Sequence, residues 1–411
     1  MLGMIRYEWK KIWKNRLTQL STIGCCLFLV FCVYMSIIQI TATSRDGETF
    51  YGMKAVQVMK TNQQEVALTQ ETVDGLAGQY LAYTQNPKTS SENEAQQFLS
   101  EDIYKTFYLP NRDLLGFITN VYGKFGSGSN MRDILKENIG KNFEQARLER
   151  DQAYIETRKE KNQLNAREAA YWEKKSQKLS VERAGYQKGW SLILDAMTWP
   201  VLIMMIICIA IAPIFAGEYQ SKCDSLVLCM RYGKSRLVLA KVVAVWLYTT
   251  CVYWGISLVY TGVYLGLLGT DGRQLPIQLK YPGMPVGYDL TMQQAVVTAL
   301  FLAYVLTLGI MGITVVLSAV LKNTYAVIIF VFLLIIIPTF LAPDAGGYVW
   351  SHVLCLLPSK IADFSFQSYT AYTVGTVVLP WPTMAILENS VLAVVCSAIG
   401  FGVFRKHQVN K

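Results

Sequence analysis

The sequence predicts an all-α membrane protein, a bundle of six spanning helices with a large helical domain outside the membrane between the first and second spans. Apolar residues make up 52% of the 411 residues and charged residues only 16%, whereas soluble chains usually carry about 25% charged residues. The apolar residues are concentrated in six stretches, while residues 41–189 have the composition of an ordinary polar protein. This contrast indicates two environments and two structural units.

The six stretches are the candidate spans, because a helix needs about 20 apolar residues to cross the hydrocarbon core. They are Leu17–Ile40, Trp190–Phe215, Leu237–Leu268, Met292–Val320, Tyr325–Leu341 and Met384–Phe404. The fifth is the shortest and is limited by Pro338 and Pro343. The first stretch is too long to be a cleaved signal peptide, and no small-residue cleavage site follows it.

Basic residues set the expected orientation. Residues 1–16, 216–241, the linker at Lys322 and the C-terminus together hold 14 Lys and Arg against three acidic residues. Residues 41–189 are balanced, with 21 basic and 20 acidic residues. Because short basic loops stay on the cytoplasmic side, both termini are predicted to be cytoplasmic and the large domain external. The net charge of +9 therefore reflects topology, and no nucleic-acid partner is expected.

The first 16 residues form a predicted amphipathic helix. Met1, Ile5, Trp9, Ile12 and Trp13 recur at helical spacing, and basic residues occupy the other faces. Such a helix lies along a membrane surface with its Trp side chains at the headgroups. A simple basic anchor is the alternative.

The external domain, residues 41–189, contains none of the nine cysteines, so it cannot use disulfides. From Met131 to Gln187 there is no proline, charges of both signs alternate, and the apolar stripe is thin. This pattern favours a long solvated helix in a stalk or loose coiled coil. Such a rod would run into the second span, either as a mechanical link or as a rigid spacer.

Two further segments are expected outside. Residues 269–291 are rich in turn residues, and residues 342–383 are rich in aromatic residues and proline. Aromatic side chains collect at the headgroup level, so the second segment predicts short re-entrant or interfacial helices.

The sequence lacks a catalytic constellation, and the chain is not expected to be an enzyme. The triplet Gly233-Lys234-Ser235 imitates the end of a phosphate-binding loop, but Leu228 stands where that motif needs glycine. The two histidines, His352 and His407, lie in separate regions. No metal site and no cofactor of this chain are predicted.

The segment from Ala216 to Lys241 is the most informative. Asp224 is placed to cap a short helix over residues 225–231, whose Leu226, Val227, Leu228 and Met230 are apolar. An apolar helix with a charged rim suits docking into the groove of a partner protein. An amphipathic loop lying on the membrane is the alternative.

Three segments resemble the permease subunits of type-2 ABC transporters, bacterial exporters whose ATPase is a separate polypeptide. The opening I-R-Y-E-W-K-K-I-W-K-N-R looks like the family's amphipathic helix. The run F-A-G-E-Y-Q-S-K…R-Y-G-K-S-R-L-V-L-A-K is similar to the family's coupling helix, and G-V-F-R-K-H-Q-V to its C-terminal close. Cys223 and Asp224 stand where many members carry glycine and threonine. Residues 45–189 have no such resemblance.

The apolar stretches and the charge distribution divide the chain into predicted units, and the resemblance implies a set of roles. The units would be a cytoplasmic helix (1–16), a first span (17–40), the external domain (41–189), a five-span unit (190–404) containing the coupling loop (216–236), and a cytoplasmic tail (405–411). Glu218 and Tyr219 would orient the coupling helix, and the ATPase contact would involve Asp224, Leu228, Arg231, Tyr232, Lys234 and Arg236. The implied partners are a cytoplasmic ABC ATPase dimer that binds ATP and Mg²⁺, a second permease copy or related permease, and the lipid of a bacterial plasma membrane.

Two acidic residues in or beside predicted spans are separate candidates. Asp195 falls about one turn into the second span and Glu388 near the outer start of the sixth. An acid at a span edge is usually solvated, and the alternatives are a substrate or proton role and structural pairing with another residue. The favoured hypothesis is export of a peptide or an amphipathic, lipid-like compound. The competing hypothesis is a membrane-anchored scaffold or sensor without transport.

Overall fold

The computed structural model describes residues 1–93, 96–123, 130–197, 199–223, 225, 229–230, 232–343 and 346–406. The chain begins with helices α1 (Leu2–Lys14) and α2 (Arg16–Ile38). Asn15 separates them because its backbone is extended and its side chain accepts a hydrogen bond from the Leu17 N–H, which caps α2. The predicted position of α1 in the membrane plane stays a prediction.

The predicted external domain consists of short helices. They are α3 (Gly52–Asn62), α4 (Gln70–Gln85), α5 (Glu101–Ile103), α6 (Leu109–Tyr122), α7 (Met131–Asn138), α8 (Phe143–Glu160) and α9 (Ala166–Ser176). A five-residue π-helical turn, Tyr104–Tyr108, leads into α6. Four of the helices, α4, α6, α7 and α8, share an apolar core. Val73, Phe117, Ile118 and Leu135 are buried together in this core.

The expected single rod over residues 131–187 is wrong. Helix α7 ends before Gly140, whose φ of 82° needs a residue without a side chain. Asn142 and Asn165 then start α8 and α9, since each side chain accepts hydrogen bonds from the first turn of its helix. The thin apolar stripe thus belongs to three separate helices, and no continuous stalk forms. Leu135 of α7 and Phe143 of α8 are buried in one core, whereas Trp172 of α9 is buried in another.

Four two-stranded antiparallel sheets interrupt the helices in the described residues. They pair β1 (Thr41–Thr43) with β2 (Thr49–Tyr51), β3 (Val66–Ala67) with β6 (Arg183–Ala184), β4 (Ser90–Asn93) with β5 (Gln96–Leu99), and β7 (Ala371–Val374) with β8 (Val377–Pro380). The all-α expectation therefore holds for most of the chain but omits these short strands.

The second apolar stretch does not continue from the domain as one helix. Helix α10 (Lys188–Asp195) ends at Asp195, and α11 (Trp199–Ile211) begins a new helix that Pro213 divides from α12 (Pro213–Gln220). Proline lacks an N–H and breaks the helical ladder at this position. Asp195 consequently lies before the spanning helix, and its expected place one turn inside the span is wrong.

The remaining helices complete the bundle. A π-helical turn, Gly233–Leu237, leads into α13 (Val238–Leu268), which is followed by α14 (Met292–Val320) and α15 (Thr324–Ile336). Short 3₁₀ helices cover Ile277–Lys280 and Ile337–Phe340. The last helices are α16 (Gly347–Cys355), α17 (Pro358–Ala362) and α18 (Trp381–Lys406).

Five helices of the described chain are long and apolar enough to cross a membrane. They are Arg16–Ile38, Trp199–Gln220, Gly233–Leu268, Met292–Val320 and Trp381–Lys406. The expected fifth span corresponds to the shorter apolar helix Thr324–Phe340, so a count of six spans stays a prediction.

The bundle has two chemically different ends. At the domain end, the Trp172 indole donates to the Tyr369 carbonyl (2.6 Å) and the Tyr186 hydroxyl to the Leu268 carbonyl (2.9 Å), so the domain meets the loops 269–291 and 342–383. At the basic end, α1, the end of α12 and the start of α13 meet through side-chain contacts between Glu8, Glu218 and Lys241. The loops that the charge pattern placed together thus lie at the same end.

Helices α14 and α18 pack closely because small residues face each other. A Cβ at Gly312 would lie 3.0 Å from the backbone of Ala393, and a Cβ at Gly400 would lie 2.7 Å from Val315. Small residues allow such backbone approach between helices in a membrane, where packing replaces the hydrophobic effect.

Candidate functional site

Four charged residues form a compact ion cluster at the basic end. The Lys241 ammonium donates to Glu8 Oε2 and to Glu218 Oε1, each over 2.9 Å, and the Lys11 ammonium donates to the same Glu218 oxygen over 2.5 Å. Two lysines balance two glutamates, so the cluster is neutral overall. Buried charges are tolerated only when they are paired and hydrogen-bonded, and this cluster meets both conditions.

The four members come from three helices that are far apart in the chain. Glu8 and Lys11 lie on α1, Glu218 in the last turn of α12, and Lys241 in the first turn of α13. Glu8, Glu218 and Lys241 are 3%, 6% and 1% exposed. Helix α1 is held in place by Ile12 and by edge contacts of Trp9 and Trp13 with the Tyr248 ring.

Lys11 is the half-exposed member of the cluster, and its ammonium is the stable form. Burial lowers the pKa of its amine, but the hydrogen bond to Glu218 and the charges of Glu218 and Glu8 outweigh that effect and raise the pKa above the ordinary value. The cluster therefore keeps this positive charge throughout the physiological pH range.

The ion cluster closes the base of the predicted coupling loop. The loop leaves the bundle after Glu218 and returns to it before Lys241, so their contact joins its two ends. Buried polar contacts of this kind hold a unique geometry when every partner is satisfied. The arrangement can transmit a displacement of the loop to α1, α12 and α13 together.

A second set of contacts joins α12 to α14. The Ser318 hydroxyl accepts from the backbone N–H groups of Phe215 and Ala216 (3.0 Å each) and donates to the Ala212 carbonyl (2.6 Å). These groups flank the proline break, where the helical hydrogen bonds are interrupted, so the serine supplies hydrogen bonds to backbone groups that lack a partner within the helix. The Tyr219 hydroxyl also donates to the Ala319 carbonyl (3.2 Å).

Of the other coupling residues predicted from the sequence, three lie among the described residues and three do not. Asp224, Leu228 and Arg231 lie outside the described residues, so the expected cap and short helix stay predictions. Tyr232, Lys234 and Arg236 are exposed, and the Arg236 guanidinium lies 4.6 Å from the centre of the Tyr232 ring. Exposed side chains at the loop base are accessible to a partner protein.

The structure does not bring Asp195 and Glu388 together. Asp195 forms an ion pair with Lys280 at the domain end. Glu388 lies on α18, and in the described part of the chain its Oε2 is buried without a hydrogen-bond partner. No cluster of three metal-binding side chains occurs among the described residues. The two acids are therefore separate candidates with different surroundings.

Sequence reasoning missed the ion cluster, although it noted Glu218. In the sequence, Glu8 is one of the three acidic residues of the basic segments, and Lys11 and Lys241 are among the basic residues that indicate the topology. One clue was available, because Glu8 shares the helical face of Ile5 and Ile12 and so interrupts an apolar stripe. A lone lysine at the start of the apolar run of α13 was the matching clue.

Comparison with known proteins gives a match over most of the chain. A family model described as "ABC-2 family transporter protein" matches residues 17–401. No curated protein and no solved structure matches the sequence. The matched range begins at the second residue of α2, contains every helix from α3 to α17 and covers most of α18. It includes Glu218 and Lys241.

Proposed function

Since this chain belongs to the ABC-2 transporter family as a permease subunit, we propose that it forms the membrane pathway of an ATP-driven exporter. A separate cytoplasmic ATPase dimer would bind ATP and Mg²⁺, and the permease would pair with a second copy or a related permease. The basic end would face the cytoplasm of a bacterial cell, in keeping with the positive-inside rule.

The proposal depends on the ion pair between Glu218 and Lys241 at the base of the coupling loop. A motor protein that pushes on a loose loop moves only the loop. Here the loop base is joined to α1 through Glu8 and Lys11, and to α14 through Ser318. A push from the ATPase on residues 221–236 would thus reach four helices of the bundle as a rigid displacement.

The loop surface supports a protein partner. Met230 is 56% exposed and Tyr232 is exposed beside it, while Lys234 and Arg236 add positive charge. Aromatic residues, Met and Arg are enriched at protein interfaces. We propose that Leu228, Arg231 and Tyr232 form the centre of the ATPase contact and that Asp224, Lys234 and Arg236 form its rim.

A cavity at the domain end supports a peptide substrate. It has a volume of 390 Å³ and lies between the domain, α10 and the segment before α14. Asp195 and Lys280 line it. Five side-chain carboxamides line it as well, those of Asn62, Gln63, Gln64, Asn111 and Gln187. Ligand sites commonly have volumes of about 300–1,000 Å³. Carboxamides both donate and accept hydrogen bonds, as a peptide backbone requires. Asp195 would contribute to substrate binding here.

The test uses the permease purified with the ATPase that accompanies it from native membranes and reconstituted in lipid nanodiscs. The double variant Leu228→Asp with Arg231→Glu reverses the character of the proposed contact. We expect it to insert normally and to lose the permease-dependent part of ATP hydrolysis. Lys174→Glu is the matched control, since Lys174 is exposed on α9 at the other end of the molecule.

Two results would count against the proposal. Unchanged ATP hydrolysis in the double variant would refute the docking surface. Recovery of no ATPase under conditions that preserve complexes would favour the scaffold or sensor hypothesis over transport.

A further inference from the structure

A buried histidine lies where the predicted external domain meets the segment that joins α15 to α18. His352 is 7% exposed and projects from α16. Its Nδ1 lies 2.8 Å from the Tyr348 carbonyl oxygen and its Nε2 lies 2.8 Å from the Ala371 carbonyl oxygen. Both ring nitrogens therefore face hydrogen-bond acceptors.

This geometry distinguishes the two protonation states of the ring. A neutral imidazole carries one N–H and one lone pair, whereas the imidazolium carries two N–H groups. Only the protonated ring donates to both carbonyls. In the neutral ring, one lone pair would face a carbonyl oxygen at 2.8 Å, a contact without a hydrogen bond between two electron-rich atoms.

A carboxylate from the domain supplies the matching negative charge. Glu168 on α9 is 0% exposed, and its Oε2 lies 3.7 Å from His352 Nε2. Its Oε1 accepts from the Tyr348 hydroxyl (2.6 Å) and the Thr373 hydroxyl (3.2 Å), and its Oε2 accepts from the Asn165 N–H (3.0 Å). Both oxygens act as acceptors, as an ionised carboxylate does.

We propose that His352 is a proton-operated latch that holds the domain helix α9 against α16 and β7. When the ring is protonated, it donates to both carbonyls and pairs with Glu168 across the seam. When the proton leaves, Glu168 loses its counter-charge and one ring nitrogen loses its donor. The seam then loosens between the domain and the segment leading to the last helix of the bundle.

The groups that face His352 agree with this assignment. They are Glu168 from α9, Tyr348 on its own helix, and Tyr372 from β7, whose hydroxyl donates to the His352 carbonyl (2.8 Å). Cys355 and Glu388 lie near Tyr372. Among these groups in the described chain, Glu168 is the acid in ion-pair range of the ring.

The direction of the pH dependence follows from the pKa shifts. Burial lowers the pKa of His352, but the interactions with Glu168 and with the two carbonyls outweigh it, so the pKa is raised. Burial raises the pKa of Glu168, but the contacts with His352, Tyr348 and Asn165 outweigh it, so the pKa is lowered. The latch is therefore strong in mild acid and weakens as the pH rises through the raised pKa of His352. At low pH it would fail again as Glu168 becomes protonated.

The test is hydrogen exchange of residues 165–176 and 346–380 in the full chain in nanodiscs, corrected for the intrinsic pH dependence of exchange. We expect greater protection at pH 6.0 than at pH 8.5, with about a tenfold change for each unit by which folding raises the pKa. His352→Gln should remove this dependence. His407→Gln should keep it, which makes it the matched control because the chain has only two histidines.

Glu168→Gln provides a second variant that is expected to fold, because glutamine serves equally in the capping box of α9. It should move the midpoint of the dependence to lower pH, since the ring loses its counter-charge. A flat wild-type profile, an unchanged profile in His352→Gln, or an unchanged midpoint in Glu168→Gln would overturn the latch.

Discussion

Replacing Lys241 with methionine tests the ion cluster most severely. Methionine keeps a long apolar side chain and removes the charge that Glu8 and Glu218 share. Glu218 would keep its hydrogen bond from Lys11, whereas Glu8 would remain 3% exposed and would lose the cation that donates to it. Removing one partner of a buried ion pair costs about 3–5 kcal/mol. We expect a loss of that size in the free energy of unfolding, a large share of the roughly 5–15 kcal/mol that stabilises a typical protein.

The assay is equilibrium unfolding in mixed micelles, followed by tryptophan fluorescence, because Trp9 and Trp13 pack on Tyr248 next to the cluster. Lys10→Met is the control for loss of charge, since Lys10 is exposed on the same helix. The double variant Glu8→Met with Lys241→Met should regain much of the loss, because the uncompensated carboxylate is gone. A Lys241→Met effect within about 0.5 kcal/mol of the control, the usual range for surface changes, would show that Lys241 does not compensate a buried carboxylate.

Two further variants test the packing of the bundle by the same unfolding assay. Gly312→Leu should destabilise the protein by at least about 1–3 kcal/mol, because even a Cβ at this position would lie 3.0 Å from the α18 backbone. Gly402→Leu is the control and should be tolerated, since a Cβ there would have nothing within 4 Å. Equal effects of the two variants would contradict the close approach of the helices. Ser318→Ala leaves two backbone N–H groups at the proline break unpaired, and we expect it to lower the free energy of unfolding by about 1–3 kcal/mol. Ser390→Ala, at an exposed position of α18, is the control and should have little effect. A Ser318 variant as stable as that control would contradict the bridging role.

Much of the bundle was predictable from the sequence, because length and apolarity alone define helices that cross a membrane. The stretches found by composition overlap the helices α2, α11, α13, α14, α15 and α18. The distribution of Lys and Arg also grouped the loops correctly by end. The charge signal works at long range since it reflects insertion rather than contact.

The domain was harder to predict because its sequence carries local signals that favour different structures. The mixed charges and thin apolar stripe of residues 131–187 suggested one helix. Gly140, Asn142 and Asn165 were nevertheless present as stop and start signals, and they divide the segment into α7, α8 and α9. Burial of residues such as Leu135 and Phe143 in a shared core then stabilises the compact arrangement.

The ion cluster could not be assembled from sequence because its members are far apart in the chain. Lys241 follows Glu8 by 233 positions and Glu218 by 23. Local spacing shows that a charge interrupts an apolar face, but it does not show which distant charge compensates it. The pairing of His352 with Glu168 could not be predicted for the same reason, because the two residues lie in different predicted units.

In the proposed function, the basic end of the bundle and its coupling loop face the compartment that holds the ATPase. The most direct measurement is labelling of single cysteines in a cysteine-free chain with a membrane-impermeant maleimide, before and after permeabilising the cells. The two sites are Met230→Cys in the loop and Lys178→Cys in the domain, both exposed. We predict that the domain site reacts in intact cells and the loop site only after permeabilisation. Labelling of the loop from outside, with the domain protected, would contradict the account.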